Sequence, residues 1–376
     1  MTPATRVVFG AMTGTSLDGL DAAAISWSIG ALERPRLLGV VSTDLGACRE
    51  VLASLCEGEA LSASVIASAS SELSSRHVIA FEELRAQVGE PDLIAVHGQT
   101  VFHRPPRSWQ LLNPWPIASA FGVPLVSDLR GLDLAESGEG APITPLSDLF
   151  WFGEHRVSQV VVNLGGFANA TVLPASGEIQ EVEGFDICAC NHVLNAGARR
   201  ALGEAYDRDG VVGARGKPIA SLAERLATQL RAQASGGRSL GTREDLTVDL
   251  FGDTEARPED LLASAAHAVA TIIGERVSSH TPGRVILAGG GAKNRTLFRA
   301  IAERVSCPAV ASSDLGVPLE AREAAAIATL GALAAEGRSI TLPGVTRRAS
   351  KDASLVDGLW CLARTNADGP GVWRPR

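Results

Sequence analysis

Val7-Val8-Phe9-Gly10 starts an apolar run that enters Thr13-Gly14-Thr15-Ser16-Leu17-Asp18-Gly19 and leaves through Leu20-Asp21-Ala-Ala-Ala-Ile-Ser-Trp27. Two apolar runs joined by a glycine-rich, hydroxyl-rich turn read as strand, turn, strand. Taken alone, Asp21-Ala-Ala-Ala also suits a helix. The same grammar returns at Gln159-Val-Val-Val-Asn163, which breaks into Leu164-Gly165-Gly166 before the strand Ala170-Thr-Val-Leu. It appears a third time at Arg284-Val-Ile-Leu-Ala288, which ends in Gly289-Gly290-Gly291.

Working outward, residues 47–87 have a helical pattern rich in Ala, Leu and Glu, without proline. Asp92-Leu-Ile-Ala-Val-His97 and Gly122-Val-Pro-Leu-Val-Ser-Asp128 read as short buried strands. A loop dense in glycine and acids spans residues 131–145 and is the expected crossing between domains. Glu178 to Val182 is the expected strand leading into Gly184-Phe185-Asp186. Helical patterns then cover about 190–205, 216–234 and 258–279, with an Ala-rich helix from Leu319 to Ala335. Strands with glycine turns followed by helices, met twice, make an α/β protein of two related halves. At ~150 residues per domain, 376 residues suit two domains with a cleft between them. The expected division is 1–135, 136–340 and a closing segment 341–376 that is partly strand, partly tail, and returns to the first domain.

The composition is 45% hydrophobic and 20% charged, that of a soluble protein with a large core. A net charge of -8 with no basic tract argues against a nucleic-acid partner. No apolar run reaches the ~18 residues of a membrane span, and the N-terminus lacks a signal-peptide core. Six scattered cysteines form no disulfide framework, and Cys188-Ala-Cys190 has no second Cys/His pair to complete a zinc site. These features lead to the expectation of a cytoplasmic protein; its oligomeric state stays open, with a homodimer one option.

Backbone without Cβ lets a phosphate approach closely and offers it N–H groups, so the glycine turns point to nucleotide phosphates. Three of them, each ending a strand, are more telling than one, although each alone could be an ordinary tight turn. None is a Walker A or a dinucleotide fingerprint, and the protein-kinase signature is missing. On this reading Gly14, Thr15, Ser16, Leu17, Asp18, Gly19, Leu20 and Asp21 grip phosphates and Mg2+, with Asp18 or Asp21 holding the metal directly or through water. Gly165 and Gly166 form the second grip; Gly289, Gly290, Gly291 and Asn294 flank the nucleoside.

Taken together, these blocks resemble the anhydro-N-acetylmuramic acid kinase family. Gly10-Ala-Met-Thr-Gly-Thr-Ser-Leu-Asp-Gly-Leu-Asp21 is similar to its first phosphate loop, and His97-Gly-Gln-Thr-Val-Phe-His-Arg-Pro105 to its HGQT segment. Ser127-Asp-Leu-Arg-Gly-Leu-Asp133 with Gly140-Ala-Pro-Ile143, then Val162 to Asn169, Gly184-Phe-Asp186, Arg238-Ser-Leu-Gly241, Ala288 to Asn294 and Glu323-Ala-Ala-Ala-Ile-Ala follow in the family's order, over about residues 5–345. Four features depart from it. Ile187-Cys-Ala-Cys190 stands where the family has Thr-Gly-Pro-(Ala/Gly), Leu129 replaces Phe, Glu139 replaces Gln, and the C-terminal tail is longer.

The resemblance implies an actin/hexokinase-like (ribonuclease H-like) fold with an interdomain active site, and ATP and Mg2+ as cofactors. It implies a reaction that hydrolyses the bridge of a 1,6-anhydro sugar and phosphorylates O6, in cell-wall recycling. Levoglucosan or another sugar of the same superfamily is the alternative substrate; an ATPase switch or catalytically altered homologue is the alternative of another class. Asp186 falls at the family's catalytic Asp, as base for the attacking water, against a helix-capping role. His97, Gln99, Thr100, Arg130 and Glu323 are the expected substrate contacts, with His97 donating to the sugar or serving as a core histidine.

Overall fold

The computed structural model describes residues 4–14, 17–31, 33–234, 250–252, 255–349 and 355–362. Thr15, Ser16 and the Arg238-Ser-Leu-Gly241 block lie outside the described residues. The chain forms two compact units, residues 1–152 with 321–376 and residues 153–320. The crossing expected at 131–145 thus lies within the first unit, and the chain leaves it after Phe152.

In the first unit β1 (Thr5–Thr13), β2 (Leu20–Ser28) and β3 (Arg36–Thr43) form an antiparallel meander. Two helices, α1 (Cys48–Cys56) and α2 (Ala63–Val88), replace the single helix expected over 47–87. Gly58, at φ 80°, breaks the run, and the Ser62 side chain caps α2 by accepting from the Val65 N–H. Then β4 (Leu93–His97) lies parallel to β1, and β5 (Gln99–Arg104) pairs with β6 (Arg107–Leu111) as a separate hairpin. After α3 (Trp115–Phe121), β7 (Leu125–Ser127) continues the sheet parallel to β4. The stretch read as a loop over 131–145 contains a short helix, α4 (Gly131–Ala135), and α5 (Pro145–Phe152) follows.

The second unit repeats the plan. A meander of β8 (Gln159–Leu164), β9 (Phe167–Leu173) and β10 (Glu183–Ala189) is antiparallel. Glu178–Val182, expected as a strand, is instead mostly one 3-10 turn, so the strand is β10 and Asp186 sits inside it rather than after it. Helices α6 (Asn191–Leu202), α7 (Ala220–Ala234) and α8 (Pro258–Ser278) lead to β11 (Arg284–Ala288), α9 (Arg295–Ala302) and β12 (Ala309–Ala311). Both β11 and β12 run parallel to β8 in the sheet.

Numbered within each unit, both sheets have the strand order 3-2-1-4-5: β3-β2-β1-β4-β7 in one and β10-β9-β8-β11-β12 in the other. The first adds an edge strand, β13 (Leu359–Cys361), antiparallel to β7 and preceded by α10 (Ala321–Ala335) and the short α11 (Pro343–Thr346). The shared order explains why the same sequence grammar appears twice.

Composition sets the packing distance. Helix α10 is rich in alanine, eight of its fifteen residues, and lies on β1, β2 and β4. A Cβ at Gly10 would overlap the backbone at Ala324 and Ala328, and one at Gly331 would overlap Ala95. Small residues on both faces therefore let the helix axis approach the sheet closely, and removing that complementarity would overpack it. Phe9, Leu20, Leu73, Phe81 and Ile94 fill the first core; Val160, Val162, Ile187, Val269 and Leu287 fill the second.

Candidate active site

The first glycine turn joins β1 to β2, with Leu17 buried and left-handed at φ 54° and its N–H bonded to the Gly14 carbonyl at 3.2 Å. Asp18 is exposed on the turn, Gly19 is half-buried, and Leu20 is buried. Asp21 stands directly opposite Met12, and its carboxylate accepts the Ser42 hydroxyl at 2.5 Å from β3. On the other side of β1, Met12 pairs with His97 at the end of β4. Cross-strand partners share a face, so Asp21 and His97 stand on one face of the sheet with Met12 between them.

The HGQT and D-x-R-G-x-D segments meet here. Arg130 donates from Nε to His97 Nε2 at 2.9 Å and from Nη1 to the Gly140 carbonyl at 2.6 Å. A guanidinium has no acceptor, so His97 Nε2 must be unprotonated and its Nδ1–H donates to the Gly98 carbonyl at 2.8 Å. Burial, reinforced by the Arg130 charge, pushes His97 down to about 3, which keeps the ring neutral. The sequence leaves His97 either donating to sugar or serving as a core histidine; in this geometry both ring nitrogens bond within the protein, and the ring orients Arg130.

The two carboxylates of the second segment also have partners. The Asp128 carboxylate accepts the Gly131 N–H at 3.1 Å, and buried Asp133 accepts the Gly140 N–H at 2.7 Å. His103, lowered to about 4 by burial and then by Arg130, bonds Ser108 at 2.9 Å. Gln99 is fully buried, with its Nε2 on the Thr100 carbonyl at 3.2 Å; the Thr100 hydroxyl accepts from Gln110 at 3.4 Å. Glu323 is half-buried in the first turn of α10. That turn is anchored by Arg322, whose guanidinium forks onto Asp148 of α5, Nε to Oδ1 at 2.9 Å, with both side chains almost wholly buried.

In the second unit the glycine turns interlock. Gly165 and Gly166, between β8 and β9, accept from the N–H groups of Asn191 at 3.0 Å and Cys190 at 2.8 Å. Asn191 Nδ2 donates to the Leu164 carbonyl at 3.1 Å. Gly289, at φ 79°, and Gly291 end β11 against the same residues; a Cβ on Gly291 would sit 2.7 Å from Asn191 Oδ1 and 2.8 Å from the Leu164 carbonyl. Around Gly290 the corresponding space is open. Asn294 spends its side-chain oxygen on the Leu297 N–H at 3.0 Å, capping α9.

Asp186 on β10 faces Asn169 on β9, which faces Asn163 on β8. This polar row places the carboxylate two strands, roughly 10 Å at ~4.8 Å per strand, from the residue preceding Leu164-Gly165-Gly166. Ile187-Cys-Ala-Cys190, the departure from the family pattern, is fully buried core. Burial and the neighbouring Cys190 raise the Cys188 thiol well above its ordinary value, and burial pushes Cys190 up to about 12, so both stay protonated.

A family profile described as anhydro-N-acetylmuramic acid kinase matches residues 6–358. The chain belongs to the anhydro-N-acetylmuramic acid kinase family. The family's kinase from Burkholderia vietnamiensis is 35% identical over 349 residues, covering 87% of this chain and 90% of that one. Its counterpart in a Picosynechococcus species is 32% identical over 348 residues, covering 86% and 91%. Among solved structures, component A of (R)-2-hydroxyglutaryl-CoA dehydratase from Acidaminococcus fermentans is similar at a TM-score of 0.48 and 11% identity, over 87% of this chain and 98% of that one. As a member of the anhydro-N-acetylmuramic acid kinase family the chain is an enzyme, an ATP-dependent sugar kinase, with two α/β units whose sheets share one strand order. Among the described residues, no helix is long and apolar enough to cross a membrane.

Sequence reading passed over Asn169 and Thr346. Asn169 was visible within a quoted motif, six residues from Asn163, but only strand register gives it a place. Thr346 bonds Asp133 from 213 positions away, and no local signal announces it.

Proposed function

We propose that this kinase acts on 1,6-anhydro-N-acetylmuramic acid in the cytoplasm, opening the anhydro bridge with water and phosphorylating O6 in one site. The observation that carries this reading is the Asn163–Asn169–Asp186 row, which sets a half-buried carboxylate two strands from a glycine turn. A 1,6-anhydro sugar has no free 6-hydroxyl to deprotonate. Water must therefore attack the anomeric carbon while the C1–O6 bond breaks and O6 takes the γ-phosphoryl group of ATP. Asp186 receives the proton from that water.

Phosphoryl transfer itself is a matter of position and charge. The turn at Gly14–Asp21 and the glycines at 165–166 and 289–291 hold the nucleotide. Mg2+ takes one or two carboxylates and completes its shell with water and phosphate oxygens. Exposed Asp18, with Asp21 steadied by Ser42, fits that requirement and would hold it. When bound, the ion offsets the negative charge that accumulates on the phosphates. Arg130, held by His97 and Gly140, binds sugar oxygens, and Glu323 contacts the sugar from the first turn of α10.

The test is side-by-side turnover of 1,6-anhydro-N-acetylmuramic acid, levoglucosan and N-acetylmuramic acid. ADP should form with the anhydro-muramic sugar, giving a 6-phosphate with a free reducing end and 18O from solvent water at C1. Equal turnover of N-acetylmuramic acid would exclude bridge opening as part of the reaction.

A further inference from the structure

The loop that receives Arg130 is held both by its neighbours in sequence and by residues far along the chain. Asp133 is wholly buried, and its two oxygens divide between two elements. One accepts the Gly140 N–H at 2.7 Å; the other accepts the Thr346 hydroxyl at 2.6 Å from α11, where that side chain is also fully buried. The Thr346 carbonyl accepts the Glu139 N–H at 2.7 Å, the residue before Gly140, and Arg347 pairs with Glu139 at 2.9 Å. Arg348, all but buried, reaches Thr341 at 3.1 Å and Ser339 at 3.0 Å, and lies 3.4 Å from Glu136. Asp357 accepts the Ile340 N–H at 3.1 Å just before β13 closes on β7.

We infer that the segment Ser339–Arg348 forms a clamp that positions Arg130, acting through Thr346, Asp133 and the Gly140 carbonyl. The chain of contacts has three links. Thr346 fixes one oxygen of Asp133, Asp133 fixes the peptide of Gly140, and Gly140 fixes Nη1 of Arg130 while His97 fixes Nε. His97 and the Gly140 carbonyl are neutral acceptors, so these two bonds orient the guanidinium without themselves adding a counter-charge. A loop of glycine and acids has little stiffness of its own. Beyond its local hydrogen bonds, the loop is tied to a segment that arrives some two hundred residues later. Thr346 is a positioning residue in this scheme, and its consequence for turnover rests on the reading of Arg130 as a sugar ligand given above.

The test uses the full chain with Thr346→Val, Thr346→Ser, Arg130→Gln and the Thr346→Val/Arg130→Gln double variant. Valine keeps the shape and removes the hydroxyl; serine restores it. Two measurements are made. The first is the 15N NMR signal of His97 Nε2, which reports the Arg130 hydrogen bond without any substrate. Thr346→Val should shift it toward its position in Arg130→Gln, and Thr346→Ser should return it. An unmoved His97 signal in folded Thr346→Val overturns the inference.

The second measurement is steady-state kinetics with 1,6-anhydro-N-acetylmuramic acid. Thr346→Val should raise the sugar KM roughly tenfold, the scale of losing one charge-assisted hydrogen bond. The ATP KM should stay within about twofold, and the effect should vanish in the Arg130→Gln background. An effect of full size in that background also overturns the inference. If Arg130→Gln alone leaves sugar kinetics unchanged, the reading of Arg130 as a sugar ligand fails, and the His97 signal still decides whether the clamp exists.

Discussion

The two meanders place polar side chains at the same register and make them different. In the first unit the row one step below the glycine turn is Met12, Asp21, Ser42; in the second it is Asn163, Asn169, Asp186. The carboxylate lies on the middle strand in one and on the outer strand in the other, a shift of one strand spacing, about 4.8 Å. The turns differ as well, Gly14–Gly19 being six residues long and Gly165–Gly166 two. Duplicated topology thus supplies equivalent positions, while side-chain identity and turn length decide what each position can do. A longer turn with an exposed Asp18 suits a solvated phosphate and cation. A two-glycine turn at the head of a row that runs from buried Asn163 to half-buried Asp186 suits a base aimed at one water.

That contrast can be broken most forcefully at Asp186. Asp186→Asn keeps the shape and loses the base, so kcat should fall by ~10²–10⁴-fold, about 3–5.5 kcal/mol, with ATP affinity preserved. A loss under ~10-fold in single-turnover assays, with unchanged unfolding midpoint, would leave the two rows chemically equivalent.

Acid should weaken the first unit through its buried histidines. His77 is fully buried, donates from Nδ1 to the Leu73 carbonyl at 2.8 Å, and is held down to about 4 by burial. Below pH ~6.5 the unfolded chain takes up a proton that the folded unit refuses until about pH 4. The stability is therefore complete above ~6.5 and is lost as pH falls toward 4, by up to about 3 kcal/mol at ~1.36 per unit. His97 adds the same dependence over a window reaching about 3. Denaturant midpoints from pH 8 to 4.5 check this, and His77→Leu should flatten the profile.

In the second unit, adjacent glycines should differ in their sensitivity to added carbon. Gly291→Ala should cost ~1–3 kcal/mol, because its Cβ would press on the Leu164 carbonyl. Gly290→Ala, into open space, should change stability by under ~0.5 kcal/mol while raising the KM for ATP. Thermal unfolding and ATP titration of the pair separate packing from binding; equal stability losses would show that the two positions are not distinct in this way.

The smallest effect is expected at Asp18→Ala. The residue is exposed, so the fold should be untouched, and the KM for magnesium-ATP should rise severalfold, by about 1 kcal/mol. An unchanged KM across a magnesium titration would remove the first turn from the metal site.

Much of the plan was readable from the chain because hydrophobic patterning is local. The strands at Val7, Gln159 and Arg284, and the helices at 258 and 319, stand near where their residue patterns place them. Errors arose where a short cue competed with a longer one. Gly58 splits the run from 47 to 87, and Glu178–Val182 looks extended yet turns, which moved Asp186 into β10. The half-polar strands β3, β5 and β6 passed unmarked, since one apolar face in a short edge element leaves a weak pattern.

By itself the sequence determined the family, the duplicated strand-and-glycine grammar, and the residue types able to meet phosphate, metal and sugar. These are properties of short segments, fixed by which side chains follow one another. Only tertiary structure decided that His97 serves Arg130, that Asp186 shares a row with Asn163, and that Thr346 reaches Asp133. Those facts rest on strand register and on hydrogen bonds closing loops of up to 213 residues, whose partners are chosen by the packing of the whole unit and leave no mark on neighbouring residues.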